Sequence, residues 1–190
     1  QPAVSATADL VFTITAQSID TTIPAGTQVA TAQSASDDTT FTFETIDDIT
    51  IPAGSTTGTV SAIEGVTQKE YLGSSTGLAA QYFELSFYPL SYSPDGTCSL
   101  GVYVTENGVE SKWTLVGSLL DSSASDKHYE IEIDENEVVT VSFGDNQNGK
   151  VPAAGTNNIR AVYRVGGGAA GNVGASKITE MVSSIAAVSS

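Results

Sequence analysis

The first part of the chain alternates apolar and polar residues with the period of a β-strand. Leu10, Phe12 and Ile14 alternate with β-branched neighbours, and similar patterns run through residues 41–46 and 55–63. β-branched and aromatic residues favour the pleated, half-buried environment of a strand. The pattern therefore predicts that this part of the chain consists of short strands.

The motif Ile-Pro-Ala-Gly occurs at residues 23–26 and 51–54, and a looser version occurs at 151–155. Proline presets φ at the second turn position, and glycine accepts the positive φ that a side chain resists. The first two copies predict tight turns that each enter a strand. A regular repeat needs at least three evenly spaced units, so we interpret the motif as a reused turn.

The later part of the chain contains the clearest hairpin pattern. Tyr129, Ile131 and Ile133 alternate with glutamates, and residues 138–143 return after an acidic turn. We expect these three apolar side chains to face inward and the glutamates to face outward. Residues 159–165 alternate in the same way and predict a further strand.

Two more features complete the predicted fold. Trp113 is expected to anchor a second core, because a buried indole contributes a large apolar area. Residues 178–188 are the one stretch that fits a helical period, with apolar positions at Ile178, Met181, Val182, Ile185 and Val188.

Together these elements predict an all-β protein of two small antiparallel subdomains, sandwich or barrel-like, with at most one short helix near the C-terminus. The alternation breaks and the charge balance changes near residue 69, which favours a boundary there. The predicted division is an acidic β subdomain at 1–68, a linker at 69–80, a second β subdomain with the hairpin and a glycine-rich exit at 81–177, and a connector toward a further C-terminal segment at 178–190.

The formal net charge of −15 argues against binding to nucleic acid or insertion at an anionic membrane, because both need a cationic surface. Residues 1–68 contain no Lys or Arg. This asymmetry is typical of a solvated acidic face, and docking between acidic and basic surfaces of neighbouring subunits is the alternative. The single Cys98 cannot form an internal disulfide, so stability has to come from packing.

The run at 166–171 matches the G-x-G-x-x-G pattern of dinucleotide-binding sites. Such a site needs a helix that opens within the motif and an acidic residue about twenty positions later. The following residues form a poor helix start, and the chain lacks a βαβ rhythm, so a dinucleotide site is not predicted. The run at 145–149 resembles a calcium loop but has Gln147 and Gly149 where oxygen ligands are needed, which favours a hairpin turn.

No set of catalytic, cofactor-binding or metal-binding residues is predicted. His128 is the only histidine, and Cys98 has no basic neighbour in sequence to lower its pKa, so a structural thiol is the simpler interpretation. The acidic residues at 130–137 lie on a predicted exposed hairpin, where nothing would separate their pKa values. A sugar-binding platform remains open as an alternative to packing for the aromatic residues Tyr82, Phe87, Tyr88 and Tyr92.

A combination of motifs resembles the baseplate J-like family, the baseplate wedge proteins of contractile-tailed phages and related injection systems. The matching stretches are 141–145, Gly149, Pro152, 159–168 and 171–173, and earlier 23–27, 43–45, 51–54, 73–77, Trp113 and 128–129. The family turn usually continues Phe-Gly-Asp with glycine, where this chain has Asn146. Asparagine also tolerates positive φ, so the turn can persist.

The resemblance implies a non-enzymatic wedge subunit that forms a six-fold ring and helps transmit rearrangement to sheath contraction. It implies no cofactor. The expected partners are further copies of the chain and other wedge, hub and sheath proteins, and the expected location is the tail baseplate of the virion, assembled in the host cytoplasm. A carbohydrate-binding or adhesin-like module is the alternative. The candidate interface or structural residues are Arg160, Arg164, Gly144, Asp145, Gly166, Gly168, Gly171 and Asn172.

Overall fold

The computed structural model describes residues 3–32 and 39–183. Within these residues the chain forms strands and two short 3-10 helices at Leu119–Asp121 and Gly168–Gly171, without an α-helix. The all-β fold predicted from the alternating pattern is confirmed. The strands are β1 (Ala3–Val4), β2 (Thr7–Thr13), β3 (Thr21–Ile23), β4 (Gln28–Thr31), β5 (Thr42–Thr45), β6 (Ile49–Ile51), β7 (Thr57–Glu64), β8 (Val66–Gly73), β9 (Tyr82–Glu84), β10 (Ser91–Tyr92), β11 (Gly101–Glu106), β12 (Val109–Lys112), β13 (Thr114–Leu115), β14 (His128–Ile133), β15 (Val139–Phe143), β16 (Ile159–Val165) and β17 (Ile178–Met181).

The chain divides into two compact units. Unit 1 contains the described residues of 1–66, 91–97 and 166–190, and unit 2 contains 67–90 and 98–165. The chain therefore leaves unit 1 and returns to it twice.

Unit 1 is built on a five-stranded antiparallel sheet with the order β17-β4-β5-β7-β2. Leu10 and Phe12 of β2 are buried, as are Val60 and Ala62 of β7, while Phe43 lies in the same core cluster. The predicted alternation thus places one face of each strand in the core, where burial of apolar area stabilises the sheet. A parallel pair, β1 with β10, and an antiparallel pair, β3 with β6, complete this unit.

The two Ile-Pro-Ala-Gly motifs form the predicted turns. Gly26 and Gly54 have φ of +78° and +79°, the left-handed region that favours glycine. Asp48 accepts a hydrogen bond of 2.7 Å from a backbone N–H of the first turn, and Asp20 accepts one of 2.9 Å from the second. The first turn leads into β4 and the second leads into β7. The interpretation of the motif as a reused turn that enters a strand is therefore confirmed.

Unit 2 contains two four-stranded sheets with the orders β12-β11-β16-β8 and β13-β14-β15-β9. The predicted hairpin is β14 with β15, in a register that runs from Tyr129↔Phe143 to Ile133↔Val139. Tyr129 is buried as expected, and Ile133 lies on the same face opposite the fully buried Val139, but Ile133 itself is 42% exposed. Among the described residues β13 pairs with β14 only at His128 and Tyr129, so the far end of β14 lies at the outer edge of this sheet.

An aromatic cluster forms the centre of unit 2. Trp113 is 1% exposed and packs edge-on against Phe143, with 5.2 Å between ring centroids. Phe83 packs edge-on against the same Phe143 at 5.9 Å. Edge-to-face contacts of this kind stabilise aromatic pairs beyond their buried area. The prediction that Trp113 anchors a second core is confirmed.

The helix predicted over residues 178–188 is wrong for its first turn. Residues 178–181 form β17, which pairs with β4 from Ile178↔Thr31 to Met181↔Val29. The free edge of β4 offers backbone hydrogen-bond partners, and this long-range pairing outweighs a weak local helical period. Residues 184–188 lie outside the described residues.

Glu106, at the end of β11, ties a following loop to the sheet of unit 2. Its Oε2 lies 2.5 Å from the Nζ of Lys150, and its Oε1 accepts a hydrogen bond of 3.0 Å from the Ala153 N–H. Burial alone would raise the pKa of Glu106, but the hydrogen bonds from Lys150 and Ala153 and the charge of Lys150 outweigh burial and hold the pKa below its usual value.

We expect the Glu106→Gln variant to lower the free energy of unfolding at pH 7 by about 1 kcal/mol, because the ion pair and the charge-assisted hydrogen bond from Lys150 are lost. A carboxyl group whose pKa is lowered in the folded state stabilises the fold at pH values above its unfolded-state pKa. This contribution to stability is lost as the pH falls through the folded-state pKa. The difference between wild type and variant should therefore shrink below pH 4.5, the ordinary value. Urea unfolding at several pH values measures this, with Glu135→Gln, an exposed turn residue, as the control. A difference that stays constant down to pH 3 contradicts the prediction.

Candidate functional site

The predicted site residues fall into groups that belong to different units. Gly144 and Asp145 lie in a turn after β15, and Arg160 and Arg164 lie on β16, all within unit 2. The glycines at 166, 168 and 171 and Asn172 belong to unit 1.

The turn after β15 is closed by backbone contacts. Gly144 lies so close to Gly149 that a Cβ on Gly144 would overlap the Gly149 carbonyl group. Asn146 has φ of +67°, and its side-chain oxygen accepts a hydrogen bond of 2.9 Å from the Val151 N–H. The asparagine therefore takes the left-handed backbone conformation that the family resemblance expects of a glycine at this position.

Asp145 caps the same turn. Its Oδ1 accepts hydrogen bonds from the backbone N–H groups of Asn148 at 2.7 Å and Gln147 at 2.8 Å. These backbone hydrogen bonds hold the pKa of Asp145 below its usual value. The carboxylate thus satisfies backbone donors within its own turn, as expected of a hairpin connection.

Arg160 forms a two-pronged ion pair within unit 2. Its Nε donates to Glu110 Oε1 at 2.8 Å and its Nη2 donates to Glu110 Oε2 at 2.6 Å, while the guanidinium lies 4.3 Å from the centre of the Tyr103 ring. The hydrogen bonds from Arg160 lower the pKa of Glu110. Arg164 donates its backbone N–H to the Ser99 hydroxyl at 3.1 Å. An interface role for both arginines stays a prediction.

The glycine-rich segment after β16 wraps around a buried carboxylate. Glu64, the last residue of β7, is 2% exposed and accepts a hydrogen bond of 2.8 Å from the Gly167 N–H. A Cβ on Gly166 would lie 2.6 Å from a Glu64 oxygen, and one on Gly171 would lie 2.5 Å from Glu64 Cγ. Gly168 has φ of +59°. Gly166 and Gly171, the first and last glycines of the G-x-G-x-x-G pattern, therefore make room for a glutamate side chain.

Sequence reasoning missed Glu64, although a signal was present. Val60 and Ala62 face the core of unit 1, and the two-residue period of a strand puts Glu64 on the same inward face. A charged residue at an inward position needs polar partners, and the glycine-rich segment supplies a backbone N–H.

A groove of about 610 Å³ lies in unit 1. Residues 6–11 line it along β2, residues 171–176 line it from the glycine-rich exit, and Phe43 and Ile178 contribute apolar surface. Asn172, one of the predicted residues, belongs to this lining. Sequence reasoning missed the groove because its walls come from segments more than 150 residues apart.

The remaining candidate residues show no catalytic arrangement. The Nδ1 of His128 lies 2.9 Å from the Ser122 hydroxyl oxygen, and Cys98 is half-buried. In residues 3–32 and 39–183, no group of three or more His, Cys, Asp or Glu residues lies together in a way that could hold a metal ion. Over the same residues, no helix has the length and apolar character needed to span a membrane.

The aromatic residues considered as a sugar platform are largely exposed in unit 2. Tyr82 is 69% exposed, and Phe87 and Tyr88 are about half exposed. Tyr92 belongs to unit 1, where it lies in β10.

In a comparison with known families, residues 9–73 match the family described as Baseplate J-like protein barrel domain. The matched range starts in β2 and ends with β8, so it includes the central strands β4, β5 and β7 of the unit 1 sheet. The family resemblance inferred from the sequence motifs is confirmed over this range. A search of curated proteins found no match to the chain.

We expect the Gly144→Ala variant to lower the free energy of unfolding by about 2 kcal/mol or more, because the added methyl group overlaps the Gly149 backbone. Gly117→Ala is the matched control, since a Cβ at Gly117 meets open space and no positive φ is required there. The control should change stability by less than about 0.5 kcal/mol. Urea unfolding measures both variants, and equal stability of the two would contradict the assigned close approach.

The packing of Glu64 against Gly171 predicts a coupled pair of substitutions. Gly171→Ala alone should destabilise by about 1–3 kcal/mol, because its methyl group collides with the Glu64 side chain. In a Glu64→Ala background the same change should cost clearly less, because the collision partner is gone. A double-mutant cycle by chemical unfolding measures this coupling. Gly174→Ala, whose Cβ would lie 4.0 Å from the nearest atom, is the control, and additive effects at 64 and 171 would exclude the contact.

Proposed function

We propose that this chain is a non-enzymatic structural subunit of the baseplate of a contractile phage tail or related injection system, because residues 9–73 match the family described as Baseplate J-like protein barrel domain. The family match is the observation that carries the proposal. It supports a structural role in a phage baseplate, and the strands it covers form most of the unit 1 sheet.

Within the baseplate, we assign the chain the part of a wedge subunit. Several copies form a six-fold ring around the tail together with other wedge, hub and sheath proteins, and the ring helps transmit rearrangement to sheath contraction. The protein resides in the virion tail baseplate after assembly in the host cytoplasm. The net charge of −15 supports contacts with proteins in preference to nucleic acid or membrane.

The proposed interface includes Arg160 and Arg164. Arginines are suited to interfaces because the planar guanidinium pairs with carboxylates through two hydrogen bonds. The side chain of Arg160 remains 23% exposed while it pairs with Glu110, which is 41% exposed. Exposed ion pairs contribute little to folding stability, so this pair can exchange partners during assembly at small cost.

The exposed aromatic residues favour one alternative function. Tyr82, Phe87 and Tyr88 present large ring surfaces to solvent in unit 2, and aromatic faces are suited to stacking on sugars. A carbohydrate-binding or adhesin-like module of a virion or cell surface is therefore the second candidate. A glycan array separates the two, since reproducible binding that is lost on Tyr82→Ala favours the module.

The baseplate proposal predicts both location and copy number. We expect gold-labelled antibody against the chain to mark the baseplate end of purified tail particles, because wedge subunits are built into that structure. Quantitative mass spectrometry of the same particles should give a copy number that is a multiple of six per tail. Antibody against a sheath protein is the matched control for labelling along the tail. Recovery of the protein as a free monomer, absent from particles, would rule the proposal out.

A further inference from the structure

The outer edge of β2 carries unpaired backbone groups in an ordered pattern. β7 is the only strand in the described part of the chain that pairs with β2. Ala6 O accepts from Glu64 N–H and Ile14 N–H donates to Thr56 O, each at 2.8 Å. Hydrogen-bonded pairs alternate along an antiparallel ladder, so the even-numbered residues of β2 bond to β7. The N–H and C=O groups of the odd-numbered residues, such as Asp9 and Val11, therefore face away from β7.

The same edge is already used just before β2 begins. Ser5 donates its backbone N–H to Tyr92 O at 2.9 Å, beside the pairing of β1 with β10. The hydrogen bonding of this edge to β10 ends at Ser5. From Thr7 to Thr13 the outer edge has no strand partner among the described residues, and Val11 is 65% exposed.

The groove in unit 1 follows this edge. Six consecutive residues, 6–11, line it, although successive side chains of a strand point to opposite faces. A wall formed by six consecutive residues therefore includes the backbone of β2, and Phe43 of β5 and Ile178 of β17 line the groove as well. Residues 171–176 also line the groove. A groove bounded by a strand edge and a second segment suits a single extended chain better than the edge of another folded sheet.

We propose that β2 binds an extended arm of another protein as an additional antiparallel strand. Main-chain hydrogen bonds to the odd-numbered residues of β2 hold the arm, and its alternate apolar side chains lie beside Ala8 and Leu10. An exposed edge strand is a ready template for such pairing. The inference deepens the proposed function and rests on it only in taking the arm to belong to another baseplate protein.

Charge identifies the chemistry of the arm. Lys177 is the only basic residue in the sequence of unit 1, and Asp9 lies on the part of β2 that lines the groove. An arm with Lys or Arg opposite Asp9 gains a favourable cross-strand pair. A second copy of this chain is the competing occupant, because the outer strands β8 and β12 of the unit 2 sheet carry Lys69 and Lys112, and sedimentation separates this case from an arm of another protein.

The test uses the 190-residue chain and a capped heptapeptide, Thr-Val-Lys-Val-Lys-Val-Thr, which matches the seven residues of β2. Isothermal titration measures binding, and NMR hydrogen exchange reports individual amides. We expect the peptide to slow exchange of the Asp9 and Val11 amides, which face the groove. The amides of Ala8 and Leu10, already bonded to β7, should change little.

Two pairs of matched controls separate strand addition from charge attraction. N-methylation of the backbone at both peptide lysines removes N–H donors that face β2, so it should weaken peptide binding roughly tenfold. N-methylation at two of the valines removes N–H donors on the opposite edge of the peptide, so it should leave the binding affinity unchanged. Val11→Pro removes a groove-facing donor outside the β2–β7 ladder and should weaken binding in the same way, while Val11→Thr retains the donor and should bind as wild type.

Several results would overturn strand addition: absence of binding, equal binding of the two N-methylated peptides, protection of amides elsewhere, or self-association of the chain through β2 seen by sedimentation. Tail-particle labelling tests the baseplate location separately. A failed peptide experiment therefore removes the docking proposal and leaves the proposed function standing.

Discussion

The close packing of the glycine-rich segment around Glu64 is the contact on which the architecture of unit 1 depends. Glu64 ends β7 on the inward face of the sheet, and Gly166, Gly167 and Gly171 approach its side chain without a Cβ in the way. Burying a carboxylate costs free energy unless hydrogen-bond donors surround it. The glycine-rich segment therefore has to pack with its backbone N–H groups close to the Glu64 side chain. The packing determines where the chain re-enters unit 1 on its way to β17.

The return of the chain brings β17 to one end of the five-stranded sheet. Among the described residues, β17 pairs with β4 at that end and β2 is the outermost strand at the other end. Residues 171–176 then line a groove together with β2. The segment that packs around Glu64 thus also forms one wall of the groove. Open edges of this kind are unusual unless covered or used for pairing, because they invite association.

Sequence patterns predicted most of the strands correctly because strand formation here follows local alternation. β16 covers the predicted residues 159–165, and the hairpin of β14 with β15 has the expected partners. The turns at Gly26 and Gly54 were also predictable, since proline and glycine specify their backbone geometry locally. The failures have long-range causes: residues 178–181 form a strand because they pair with β4, and Ile133 is partly exposed because β13 pairs with β14 only at His128 and Tyr129.

By itself, the sequence determined the all-β class, the turn positions and the family resemblance, since each depends on residue types within a few positions of one another. The predicted site residues were less accessible to sequence reasoning. Only the tertiary structure decided that the G-x-G-x-x-G pattern encloses Glu64, that Arg160 pairs with Glu110, and that β2 lines a groove. These features depend on contacts between segments tens to more than a hundred residues apart, and local periodicity carries no information about which distant segments meet.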